Sequence, residues 1–229
     1  KGSISIVNLD DQHSSRIISE TKSKKIFYSG KLKSHYSGRI LQSNLEGLSV
    51  SIDNFEFSTR LAGDFNLYNL LATYAVALEL SQDKFTVLRL LSKILPTPGR
   101  FNTVTSKSNI FGVIDYAHTP DALEKVIFAI SNFCILKKDL IIVVGCGGNR
   151  DAGKRSEMGR IASENSRLSI FTSDNPRFEN PKEIINDMFQ GVSNRHKKNV
   201  KNILNREDAI RLAVKEAHEG SIILVAGKG

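Results

Sequence analysis

Tryptophan is absent, cysteine and methionine occur twice each, and aromatic residues make up 7% of the chain. So few rings argue against an extended surface for stacking nucleic-acid bases. Cys134 and Cys146 cannot form a disulfide framework, so a reducing, cytoplasmic setting is expected. No apolar run approaches the ~18 residues that cross a bilayer, and no signal peptide is recognisable at the start, so no membrane partner is expected. Clustered charge is scarce as well. The net charge is +8, yet the basic residues are scattered apart from Lys197, Lys198 and Lys201, which read as a solvated loop. No nucleic-acid partner is expected; a cationic surface equally suits a polyanionic small substrate such as a nucleotide. With 40% hydrophobic residues the chain can bury a sizeable core. It starts at Lys1 and its final apolar run stops in Gly227-Lys228-Gly229, so it is expected to be a piece of a longer protein.

The most informative stretch runs from Asp139 to Asn165. Leu140 to Val144 is a continuous Leu/Ile/Val run, as in strands buried on both faces of a parallel sheet. A loop containing Gly145, Gly147, Gly148 and Gly153 follows, with Arg150, Lys154 and Arg155 supplying positive charge, which points to a partly anionic ligand. Three readings remain open on the residues alone. Gly148, Gly153 and Lys154 have the spacing of a nucleotide phosphate loop, but Arg155 stands where a Ser or Thr hydroxyl would meet magnesium. The loop can be a plain tight turn. Or Arg150 can clamp a carboxylate through two parallel hydrogen bonds. Cys146 has no His near it in sequence and reads as a passive small residue.

From Lys1 to about Arg60, short alternating segments (Ser3 to Val7, Lys25 to Tyr28, Leu48 to Ser58) predict strands, several of them antiparallel, with a short helix over Asp11 to Glu20. Helices follow at Leu67 to Leu80 and Gln82 to Leu95. Asn66 is expected to cap the first, with Asn69 a surface amide on the same side. Pro96-Thr97-Pro98-Gly99 stops the second helix and marks a domain boundary. Beyond Arg100 strands and helices alternate: strands Ile110 to Tyr116, Leu140 to Gly145, Leu168 to Thr172 and Ser221 to Ala226; helices Pro120 to Phe133, Glu157 to Ser166, Pro181 to Gly191 and Arg206 to Glu219. That alternation is the signature of a doubly wound α/β sheet. Ligands of such sheets bind outside the carboxyl ends of the strands. Four of these ends carry Asp115-Tyr116-Ala117-His118, Gly145 to Arg150, Asp174-Asn175-Pro176-Arg177 and Gly227-Lys228-Gly229. A pocket with arginines and carboxylates together suits a zwitterion.

Seven strings occur here in a fixed order: VNLDD (Val7 to Asp11), GDFNLYNLLA (Gly63 to Ala72), PGRF (Pro98 to Phe101), DYAHTPDALEKV (Asp115 to Val126), GCGGNRDAGKRSEMGRIA (Gly145 to Ala162), DNPR (Asp174 to Arg177) and AGKG (Ala226 to Gly229). In them the whole chain resembles the Mur ligases. The resemblance implies an α/β fold: residues 1–98 as the C-terminal portion of a central nucleotide-binding domain, and residues 99–229 as a truncated Rossmann-like, doubly wound C-terminal domain. It implies a monomeric, ATP- and Mg2+-dependent amide-bond ligase of peptidoglycan precursor synthesis. ATP would phosphorylate the terminal carboxylate of UDP-N-acetylmuramoyl-L-alanyl-D-glutamate, and the amine of a diamino acid would attack the acyl phosphate. Asn66, Asn69, Arg100, Asp115 and His118 would serve the nucleotide, Asp115 at its ribose and Arg100 at its phosphates. Arg150, Asp174, Asn175, Pro176, Arg177 and Gly227 would form the amino-acid site. Arg177 accompanies meso-diaminopimelate in this family; L-lysine or L-ornithine is the alternative, with Asp174 meeting a distal ammonium. The family's phosphate loop, magnesium ligands and carbamylated lysine lie upstream of anything present, so no metal ligand and no catalytic residue is assigned. This overrides the phosphate-loop reading of Gly148 to Lys154. The competing class is a non-catalytic module that binds an anionic ligand or nucleic acid.

Overall fold

The computed structural model describes residues 2–133 and 139–228, so Cys134 and Gly229 lie outside the described residues. Contacts divide the chain into two units, residues 1–96 and 97–229.

The first unit holds a five-stranded sheet of β1 (Ile4–Asn8), β2 (Lys24–Ser29), β3 (Tyr36–Asn44), β4 (Gly47–Ile52) and β5 (Phe55–Thr59), in that order. The β1, β2 and β3 strands run parallel, and β3, β4 and β5 antiparallel. The run expected as one segment from Leu48 to Ser58 is two strands joined at Asp53 and Asn54, both at positive φ, +47° and +69°. Such angles match a two-residue hairpin turn to the strand twist, and Asp and Asn tolerate them. Three helices accompany the sheet: α1 (Ser14–Ile17), α2 (Phe65–Glu79) and α3 (Lys84–Leu91). The Leu67, Leu70, Leu71 and Tyr74 face of α2 packs on Leu48, Val50 and Ile52. Asn66 is not the cap of α2: the helix starts two residues earlier than expected, at Phe65, with Asp64 at the cap position. Asn66 lies in the first turn, where its Nδ2 donates to Ala62 O at 2.7 Å and its Oδ1 accepts from Asn69 Nδ2 at 2.9 Å.

The second unit holds a six-stranded sheet of β6 (Asn102–Thr105), β7 (Phe111–Asp115), β8 (Leu140–Val144), β9 (Leu168–Phe171), β10 (Val200–Asn202) and β11 (Ile222–Ala226). The spatial order is β10-β9-β8-β11-β7-β6, parallel throughout except at the β6 edge. All five residues of β8 are buried, as its unbroken apolar run requires when both faces are covered. The helices are α4 (Pro120–Ser131), α5 (Gly153–Asn165), α6 (Pro181–Gln190) and α7 (Arg206–Glu216). Ala209 and Ala213 of α7 join Ile141, Val143, Leu168, Ile170 and Ile223 in one cluster. α4 packs on α5, and α5 on α6. Thr119 and Asn180 cap α4 and α6, each followed by proline: Thr119 Oγ1 accepts from Ala122 N at 3.3 Å and Asn180 Oδ1 from Lys182 N at 3.0 Å. The α/β arrangement of the second unit is the mostly parallel, Rossmann-like sheet that the sequence alternation predicts.

Candidate functional site

The order β9-β8-β11-β7 sets four carboxyl ends side by side. A cavity of about 630 Å³ opens there, and its lining draws on all four ends. His118 and Thr119 come from the β7 end, Gly147, Arg150, Asp151 and Lys154 from the β8 end, Asp174, Asn175 and Arg177 from the β9 end, and Gly227 and Lys228 from the β11 end. Six of the expected site residues therefore meet in one place: His118, Arg150, Asp174, Asn175, Arg177 and Gly227. Tyr116, Thr119, Asp151, Lys154 and Lys228 line it as well. Their signal was adjacency to the motif residues, and for Lys154 the positive charge already noted.

Asp115, Pro176 and Arg100 are not in this lining. Asp115 is buried at the end of β7, where Oδ2 accepts from Phe101 N at 2.9 Å and Oδ1 from Ala117 N at 2.8 Å. Burial raises its pKa above the ordinary carboxylate value, against the pull of those two amides and of Arg100. Each oxygen retains lone-pair capacity for a hydroxyl donor. Arg100 lies over the ring of Tyr116, 5.2 Å from its centroid, and Tyr116 stacks edge-on against His118 at 4.8 Å. Tyr116 and His118 of the cavity lining, with Arg100 stacked outside it, make a cationic and aromatic ledge. Pro176 shapes the turn that carries Asn175 and Arg177, its carbonyl accepting from Glu179 N at 3.0 Å. Asn66 and Asn69 belong to the first unit, joined to each other by the hydrogen bond described above. The first unit also has a cavity of about 450 Å³, lined by residues between Gly30 and Asn54, that contains none of the expected site residues.

The loop after β8 is not built as a phosphate cradle. Such a cradle presents free backbone amides to phosphate oxygens. Here the Gly148 amide donates to Asn175 O at 2.8 Å, the Asn149 amide to Glu179 Oε1, and the Gly153 amide to Asp151 Oδ1 at 2.9 Å. Lys154 Nζ donates to His118 O at 2.7 Å. Glycine at position 148 answers a different need: a Cβ there would lie 2.0 Å from Pro176 O, so the loops after β8 and β9 can touch through their backbones alone. Arg177 reaches back across the same contact, its Nη1 donating to Gly148 O. Gly227 sits at φ +101°, a conformation L side chains rarely adopt, and a Cβ on it would lie 3.0 Å from Asp174 Oδ2.

Electrostatically the cavity is mixed. Arg150, Arg177, Lys154 and Lys228 line it together with Asp151 and Asp174. Arg206, at the start of α7, donates from Nη2 to Ala226 O at 3.0 Å, and burial pulls its pKa down against the opposing negative charge of Asp174. Such a site can hold a molecule bearing both carboxylates and ammonium groups, the arginines pairing with the former in two-pronged contacts. Among the described residues no group of three or more His, Cys, Asp or Glu could hold a metal ion. No helix of the described residues is long and apolar enough to cross a membrane.

Comparison with known proteins gives consistent matches. A family model described as Mur ligase, glutamate ligase domain, matches residues 99–229, and one described as Mur ligase middle domain matches residues 1–77. The UDP-N-acetylmuramoyl-L-alanyl-D-glutamate--2,6-diaminopimelate ligase of Bacteroides fragilis is 44% identical over 229 residues, covering 100% of this chain and 47% of its own length. The protein of that name from Listeria monocytogenes serotype 4b is 39% identical, covering 99% of this chain and 46% of its own. The chain thus spans about half the length of the curated relatives it matches. A solved structure of a ligase of that name superposes with a TM-score of 0.64 at 32% identity, over 99% of this chain and 48% of its own. A structure of MurF from Acinetobacter baumannii, 13% identical with a TM-score of 0.72 over 100% of this chain and 50% of its own, shares the fold.

Proposed function

Since the chain belongs to the Mur ligase family, we propose that it is part of an ATP-dependent ligase that joins meso-diaminopimelate to UDP-N-acetylmuramoyl-L-alanyl-D-glutamate. The observation that carries this reading is the cavity at the four strand ends, where Arg150 and Arg177 share a lining with Asp174. A diamino diacid has one end that reacts and one end that must be recognised. The recognised end is a zwitterion, so a guanidinium for its carboxylate and a carboxylate for its ammonium are the complementary pair. Arg177 is oriented for this by the Gly148 carbonyl, which takes one of its five N–H groups and leaves the rest of the fork for a ligand. Asn175 and the buried, side-chain-free Gly227 complete the amino-acid site, with Arg150 as the second guanidinium and Pro176 fixing the turn.

In the same reading the ledge of Arg100, Tyr116 and His118 faces the nucleotide, Arg100 bringing fixed positive charge and Asp115 offering acceptors to ribose hydroxyls. The same reading gives Asn66 and Asn69 a nucleotide-contacting role. Magnesium enters as the ion accompanying ATP, and no step is assigned to it here, since the described residues offer no cluster to hold it.

The test is an ATP-dependent ligation assay on the full-length gene product that contains this sequence, with meso-diaminopimelate, L-lysine and L-ornithine offered separately. Product with diaminopimelate is expected. Hydrogen bonds to charged groups are worth ~1.5–3 kcal/mol, so Arg177→Ala is expected to lower kcat/KM for diaminopimelate by roughly 10- to 100-fold and to change lysine use far less. An equal loss with both amino acids contradicts the role of Arg177. Product with lysine or ornithine alone keeps the ligase and discards the diaminopimelate assignment. Absence of product with any of them, alongside salt-dependent nucleic-acid binding, would instead favour a binding module.

A further inference from the structure

Arg155 lies in the first turn of α5 with its side chain 3% exposed, and it touches neither the cavity nor its ligand groups. Its Nη2 donates to both oxygens of Glu179, at 2.9 and 2.8 Å, and its Nη1 to Asp187 Oδ2 of α6 at 2.9 Å. An exposed ion pair would contribute little, but a buried guanidinium whose Nη1 and Nη2 each meet a carboxylate fixes geometry as well as charge. Glu179 does a second job, accepting the Asn149 amide; that bond first, and Arg155 after it, hold its carboxyl below the usual range.

The two loops that Glu179 bridges are the ones that carry Arg150 and Arg177. Asn149 and Arg177 both sit in the left-handed region, at φ +50° and +49°. Residues other than glycine stay there when their surroundings hold them, at a cost of about 1–3 kcal/mol each. Here each is held by the opposite loop: Asn149 Oδ1 accepts from Phe178 N at 3.0 Å, and Arg177 Nη1 donates to Gly148 O. The chain of contacts runs from α6 through Asp187 and Arg155 to Glu179, and from there to Asn149.

We propose that Arg155 is a positioning residue for the amino-acid site: through Glu179 it holds the loops after β8 and β9 at one spacing, and that spacing of Arg150 from Arg177 sets which diamino acid fits. This rests on the ligase reading above. A misplacement of about 1 Å in a binding group can cost on the order of 100-fold in kcat/KM, so a buried clamp outside the cavity governs selection within it.

The experiment uses the full-length gene product with Arg155→Lys and, because that variant can fail to fold, Glu179→Gln, which keeps the shape and the Arg155–Asp187 pair. Steady-state kinetics for all three substrates are combined with amide hydrogen exchange. The clamp predicts a KM for the diamino acid raised at least about 10-fold, with kcat and the KM for ATP and for the UDP-linked substrate little changed. It also predicts preference for diaminopimelate over lysine falling towards unity, and faster exchange at Gly148, Asn149 and Phe178 with β8 amides unaltered. An unchanged KM for the diamino acid, or a parallel rise in all three KM values, overturns the proposal. If the unaltered protein ligates no diamino acid, the ligase reading falls, and exchange alone then decides the clamp: unchanged loop amides overturn it.

Discussion

Asp115 and Cys146 stand at the carboxyl ends of β7 and β8, the two strands that flank β11, and in both burial dominates titration. Asp115 spends one acceptor position of each oxygen on the backbone and lies outside the cavity lining, although it ends a strand in the same row as Gly145 and Gly227. Sequence places it at the strand mouth; its two amide partners, one of them Phe101 in a separate turn, come from folding and leave no mark in the residue string. Burial pushes the Cys146 thiol up to about 11, and its Sγ lies against Met158 Sδ at 3.5 Å. At pH 8 it is a thiol, and thiols alkylate slowly. Iodoacetamide at pH 8 is therefore expected to leave Cys146 unmodified in the native chain and to modify it in denaturant, read by peptide mapping; rapid native labelling contradicts this. The passive role read from sequence agrees with this environment.

At the scale of elements, caps set the helix starts that matter to the site. Asn180 caps α6 directly after Glu179, so Asn180→Ala is expected to cost ~1 kcal/mol of unfolding free energy, measured by denaturant titration. A loss below ~0.3 kcal/mol would mean that packing alone sets this helix start. Thr119-Pro120 and Asn180-Pro181 were legible because capping chemistry is local. The start of α5 at Gly153 was not: its apolar period begins only near Met158, so the polar first turn reads as loop and the helix was expected from Glu157. Strand β3 escaped notice because Gly38 interrupts its alternation and its register with β4 shifts between Ile40 and Gln42. Strands β6 and β10 are short, polar edges, Asn102–Thr105 and Val200–Asn202, with too little apolar pattern to announce themselves. The contact between the loops after β8 and β9 was invisible for a different reason. Each hydrogen bond from Gly148 and Asn149 to the loop after β9 uses a backbone amide or carbonyl on at least one side, and almost any residue supplies those.

For the molecule as a whole, the motif order carried the family and the strand ends carried the cavity. The chain spans about half the length of the curated relatives it matches, and no cluster among its described residues could hold a metal ion, so the purified 229-residue chain is expected to show no ATP-dependent ligation under conditions where the full-length gene product turns over; turnover by the chain alone would refute this. The strand order of the second unit also bears on how the protein is made. β11 lies between β7 and β8, hydrogen-bonded in parallel to both, yet it is the last of the six strands to leave the ribosome. Until residues 222–226 emerge, β7 and β8 each present a bare edge to the nascent chain's surroundings, and the sheet cannot close. Completion of this sheet thus waits on the insertion of an interior strand that is the last of the six in sequence. A ribosome stalled before Ile222 would leave two half-sheets that a chaperone must shield.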